Sequence, residues 1–111
     1  MPPEFSPESE VTRVAVAFAE ALARGDWSGA HGMLAASLRD DWQAAELKRE
    51  FEKMTSYWDE PPTEVKLGPA DSERAYVAIY AESGSVQEAV DVRVIQDEGH
   101  WLIDDIVWGR P

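Results

Sequence analysis

The sequence predicts an α+β domain, with helices first and an antiparallel meander after them. Three observations carry that expectation. Apolar residues recur at helical spacing in three stretches before Pro61-Pro62. After that dipeptide, apolar and polar residues alternate with a period of two. The chain then closes on two long arms, 86–96 and 100–108, joined by the short turn Asp97-Glu98-Gly99. Helices segregated from an antiparallel sheet cover one of its faces, so the expected architecture is three N-terminal helices packed on a curved four-stranded sheet.

Each element has its own signature. Residues 1–7, three of them prolines, are expected to form a flexible lead-in to a single domain over residues 8–111, with Ser6 or Ser9 placed to cap the first helix. Val11, Val14, Ala15, Phe18 and Leu22 follow the stripe of a helix with one buried face, and Gly25 stops it. Asp26 is placed as the N-cap of a second helix, whose buried face is Trp27, Ala30, Leu34 and Leu38 and which Gly29 and Gly32 weaken. Leu47, Phe51, Met54 and Trp58 mark the third. Four strands follow: a short one holding Val65 and Leu67 and closed by Gly68-Pro69, then 75–81, 86–96 and 100–108. In the third strand Val86, Val90, Val92 and Val94 share a face with Glu88. In the fourth, strict alternation sends Trp101 and Ile103 to one face and Leu102 and Ile106 to the other. A strand apolar on both faces needs a bulge that re-aims it or a second copy of the chain as cover.

A chain of 111 residues has room for one core, and its 44% hydrophobic content with five tryptophans argues against disorder. With no cysteine there is no disulfide, thiolate nucleophile or cysteine-ligated metal. Lys and Arg total 10 against 22 Asp and Glu, a net charge of -12 that repels nucleic-acid phosphates. The acids are spread along the chain, which suits solubility; the alternative is steering toward a basic protein partner. No apolar run approaches the roughly 18 residues of a membrane span and no basic-apolar leader opens the chain, so a cytoplasmic protein is expected. Its two histidines make no metal motif and its glycines no phosphate or dinucleotide fingerprint, so neither metal nor cofactor is expected.

Three stretches in order carry a family resemblance: Phe18-Ala19-Glu20-Ala21-Leu22-Ala23-Arg24-Gly25-Asp26-Trp27, Leu47-Lys48-Arg49-Glu50-Phe51 and Gly99-His100-Trp101-Leu102-Ile103. They resemble the first helix with its Gly-Asp turn, the third helix, and the Gly-x-Trp-x-Ile entry to the final strand of the NTF2-like (cystatin-like α+β) superfamily, in particular its small bacterial members. The resemblance implies a cone, with a curved sheet around a long helix, often an internal cavity and frequent dimerisation through the sheet. Larger members carry an extra strand pair for which Pro61-Pro62 leaves no room, which implies a shallow or filled cavity here. Members range from isomerases and dehydratases to transport adaptors and toxin-immunity proteins, so no single activity is implied.

An acid–base enzyme of this fold needs a carboxylate or histidine inside the cone and a donor facing it. Glu88 on the valine face and Asp104 on the last strand are the candidate bases; Tyr76 and Tyr80 are placed to donate phenolic hydrogen bonds, and His31 follows Trp27 on the second helix. Each also has a plainer role: Glu88 snorkelling or pairing with Arg93 or Lys66, the tyrosines packing, and His31 half-exposed. Asp104 and Asp105 are sent to opposite faces by alternation, unless they form a bulge or protect an edge. Indole buries a large area and keeps one donor, so Trp27, Trp58 and Trp101 are expected in the core or a cavity wall and Trp108 at an interface. The candidate ligand-binding set is therefore Trp27, His31, Trp58, Tyr76, Tyr80 and Trp101. The expected function is a non-catalytic module holding a small apolar ligand or a protein partner, as a homodimer through the sheet. The alternatives are an isomerase or dehydratase using a cone carboxylate, and an acidic immunity or adaptor protein for a basic partner.

Overall fold

In the computed structural model, which describes residues 7–55, 62–81 and 86–108, helices precede an antiparallel sheet. The elements are α1 (Pro7–Ala23), α2 (Trp27–His31), α3 (Ala36–Asp41), α4 (Ala44–Thr55), β1 (Pro62–Ala70), β2 (Arg74–Ala81), β3 (Val86–Asp97) and β4 (His100–Trp108). The strand order β1-β2-β3-β4 is a simple meander, and the chain is α+β. The expected lead-in up to residue 6, the Ser6 cap and Trp58 lie outside the described residues, as do the side chains of Ser9, Met54 and Glu88. Among the described residues no helix is long and apolar enough to cross a membrane.

The first helix opens on Pro7, whose fixed φ and missing N–H suit a first helical position. Its apolar stripe is buried, Val11, Ala15, Phe18 and Leu22 completely, and it lies across the inner face of the sheet against all four strands. At Gly25, φ 80°, Asp26 N–H donates to Ala21 O (2.8 Å) and Gly25 N–H to Leu22 O (3.1 Å). This Schellman closure uses the left-handed conformation that glycine enters at least cost. Asp26 Oδ1 then accepts from Gly29 N–H at 3.0 Å and caps α2.

The single second helix expected from Trp27, Ala30, Leu34 and Leu38 is two short ones, because the link between them is captured by the edge of β4. Ile103 N–H donates to Met33 O (2.9 Å), Ala35 N–H donates to Ile103 O (2.6 Å), and Leu34 bridges Ile103 in parallel with its side chain fully buried. Peptide groups used this way cannot continue a helix. Arg39 completes the link by donating from Nε and Nη2 to Leu34 O at 3.2 and 3.1 Å. In α4, Gln43 N–H donates to Glu46 Oε1 at 2.9 Å, half of a capping box, and Leu47 and Phe51 fill the buried face.

On the sheet, Ala75, Val77 and Ile79 of β2 and Val90, Val92 and Val94 of β3 form adjacent rows beneath α1. Ile79 pairs with Glu88, and a one-residue bulge then pairs Tyr80 with Val86. The decisive irregularity is in β4. Arg93 pairs with Asp105 and Val94 with Ile103, which leaves Asp104 as the extra residue of a bulge. Beyond it the phase reverses: Ile106 falls opposite Val92 and Trp108 opposite Val90, so both join Trp101 and Ile103 against the core. The two-faced strand expected from strict alternation thus becomes a strand whose apolar residues mostly face inward. Trp108, expected at an interface, packs its ring 5.9 Å from that of Trp42 and buries Nε1, which has no acceptor among the described residues.

Candidate functional site

β4 lies at the edge of the sheet, and the link from Met33 to Ala35 covers only its middle. Two residues before Ile103, Trp101 projects its N–H and C=O from the same edge, since outward-facing peptide groups recur every second residue of an antiparallel ladder. There, between α1, the link and the turn into β4, the chain leaves an open groove of about 550 Å³. Val14 and Ala17 supply its α1 wall, Met33 comes from the link, Arg39 from α3, and His100 and Trp101 from β4. A short turn makes the β4 side possible: Asp97 pairs with His100 across Glu98 (φ 52°) and Gly99 (φ 84°), a two-residue hairpin turn.

Arg13, Arg39 and His100 line this groove and, among the described residues, no carboxylate does, in a chain with 22 Asp and Glu. The three basic residues differ in their surroundings. Arg13 is paired with Glu10, Nε to Oε1 at 3.1 Å. Arg39 is anchored on a neutral carbonyl, that of Leu34, and makes no ion pair among the described residues, so its charge is uncompensated. His100 is exposed.

The residues singled out in the sequence are not gathered in one place. Trp101 lines the groove and packs against the core. His31 is a neighbour of the groove through Gly32, with Nε2 3.3 Å from Arg39 O. Trp27 packs instead against Phe51 of α4, ring centroids 5.8 Å apart and tilted by 55°. Tyr76 and Tyr80 lie on the sheet's outer face, because Ala75, Val77 and Ile79 take the inner one. Tyr76 borders a separate hollow of about 410 Å³ with Asp71, Arg74 and Asp91, and its ring lies across Gly68, where a Cβ would come within 2.8 Å of Cδ1. Lys66 Nζ stands 5.1 Å above the Tyr80 ring.

The candidate base Asp104 has both oxygens engaged, accepting from Arg93 Nε and Nη2 at 2.7 Å each. Asp105 reaches Arg74 at 3.1 Å, and Arg74 also meets Asp91 at 3.3 Å. Arg74 and Arg93 are register partners on the outer face, so the bulge turns both carboxylates toward that face instead of dividing them as alternation alone would. The hydrogen bonds it donates to Asp104, then the charge of that carboxylate, hold the Arg93 guanidinium more firmly protonated than usual. Asp71 is acidified: its carboxylate accepts from the backbone N–H of Arg74 and of Glu73, both at 2.8 Å, which lowers it from the ordinary 3.8.

Met33, Arg39 and Arg13 escaped the sequence reading. None belongs to a motif, and they meet Trp101 only because the β4 edge pulls the link out of its helix.

No family model and no curated protein matches the sequence. Among solved structures the chain is similar to Aln2 from a Streptomyces species, at 14% identity and a TM-score of 0.56, over 99% of this chain and 94% of that one. It is also similar to a protein of unknown function from Bacteroides thetaiotaomicron, at 17% identity and a TM-score of 0.48, over 90% of each chain. The first likeness extends over the whole α+β fold, and it is a likeness of fold alone.

Proposed function

We propose that the chain is an NTF2-like domain acting as a non-catalytic binding module, which takes a small apolar ligand into the groove beside Trp101 and works as a homodimer through the outer face of its sheet. The groove carries the reading. Its volume falls within the roughly 300–1,000 Å³ of small-molecule sites, and Val14, Met33 and Trp101 give it an apolar body with a few polar groups at the rim. The space between α1 and the sheet is occupied by Phe18, Leu22, Leu34, Ile79 and Ile103, all fully buried, which favours a ligand at the cone's side over one at its centre. Asp104, tied in two hydrogen bonds to Arg93, is a poor candidate for a general base.

The assembly rests on the outer face, where Tyr76 is 42% and Val107 52% exposed. The charges between them are paired, Arg74 with Asp91 and Asp105 and Arg93 with Asp104, which leaves a single net negative charge on the cluster. Such a face suits a second copy of an acidic chain, because paired charges spare it the repulsion the rest of the surface imposes.

A fragment screen read in a two-dimensional NMR spectrum tests the groove. Neutral apolar fragments are expected to shift the Trp101 indole N–H together with the amides of Gly32, Met33 and Gly99. Fragments that bind yet leave these signals in place would remove the groove from the account.

A further inference from the structure

Resting on the groove reading above, we infer that the ligand is a small organic acid, with an aryl or alkyl body against Met33 and Trp101 and a carboxylate on Arg39. Three observations lead there. The first is charge segregation: the lining carries Arg13, Arg39 and His100 and, among the described residues, no acid, although acids outnumber Lys and Arg 22 to 10 in the chain. An anion meets no carboxylate on this wall.

The second is the state of Arg39. Its Nε and Nη2 donate to Leu34 O, a bond that fixes the guanidinium without neutralising it. An arginine has five N–H donors, and two of them serve this bond, so that among the described residues the Nη1–Nη2 end has no partner and forms a fork matched to a carboxylate. The side chain is ordered before a ligand arrives, which lowers the entropy cost of binding. Arg13, paired with Glu10, contributes less, and His100 stands across the groove mouth as a further donor.

The third is the field of the whole molecule. One guanidinium pairs a single negative charge, and the second charge of a phosphate dianion would be left without a partner in the field of a chain of net charge -12, which favours a monoanion. The apolar body supplies the remaining affinity on Met33 and Trp101.

Phenylacetate, indoleacetate and octanoate, each paired with its primary amide, test the class against the full chain by NMR titration. Each acid is expected to bind about tenfold more tightly than its amide, the difference a charge-assisted bond makes, with shifts centred on Trp101, Met33 and the Arg39 side chain. In Arg39→Gln the ratio is expected to collapse toward one while the amides still shift Trp101; the comparison on the unaltered chain decides the class even where that variant does not fold. Acid and amide binding equally at Trp101 overturns the acid and leaves the groove in place. Phenyl phosphate binding more tightly than phenylacetate overturns the monoanion. No shift at Trp101 with any probe overturns both the acid and the groove.

Discussion

Glu98 occupies the first position of a two-residue hairpin turn at φ 52°, where a side chain with a Cβ is strained and asparagine or glycine is favoured. Glu98→Asn is therefore expected to stabilise the fold by about 0.5–1 kcal/mol in urea denaturation, since the turn joins β3 to β4. Asp71 gives a pH signature at another turn. Its carboxyl titrates lower in the folded chain than in the unfolded one, so its contribution is present above the unfolded value and is lost as pH falls through the folded one. The stability advantage of the native chain over Asp71→Asn is expected to hold at about pH 6 and to shrink by about pH 3; a gap equal at both would contradict the assignment. Local chemistry of this kind was legible where it is conventional. Gly25 and Asp26 announced a helix stop and a cap because both act within a few residues of themselves. Trp101 was legible as a wall residue from its bulk. Arg39 was not, since its role depends on the Leu34 carbonyl, which is free only after the link has left the helix.

The bulge at Asp104 decides which residues of β4 face the core. If Asp104 paired as an ordinary strand residue, Ile106 and Trp108 would turn to the outer face and the apolar row opposite Val90 and Val92 would be lost. Deleting Asp104 removes the extra residue and leaves Ile103, Asp105, Ile106 and Trp108 opposite the same partners in a regular strand, so that variant is expected to fold and to keep both side chains buried. Asp104→Ala, which keeps the bulge and loses the Arg93 partner, is expected to cost about as much in urea denaturation; a deletion far more costly than Asp104→Ala, or one that exposes Trp108, would show that the bulge is not what sets the phase. The sequence did reveal the conflict, because apolar residues on both sides of Asp104-Asp105 cannot all be buried by a regular strand. It left open whether a bulge or a second chain would resolve it. The division of the second helix was not legible at all. Its apolar spacing is helical throughout, and the cause of the break, the edge of β4, lies at the far end of the chain.

At the scale of the molecule, a meander under α1 leaves two features without a use inside the fold: the groove beside Trp101 and the outer face of the sheet. The α+β order was legible because a change of hydrophobic period from helical to two separates the halves at Pro61-Pro62. The groove was not, because it is made from three stretches far apart in the sequence, α1, the link with α3, and the turn into β4. Native mass spectrometry of the gently purified chain, set against its denatured mass, tests the binding-module account most directly. The expected result is a dimer that carries a small non-covalent mass, released when the chain is denatured and absent from a Met33→Asp variant. A bare monomer at micromolar concentration, unchanged after incubation with apolar fragments, would contradict both the ligand and the assembly.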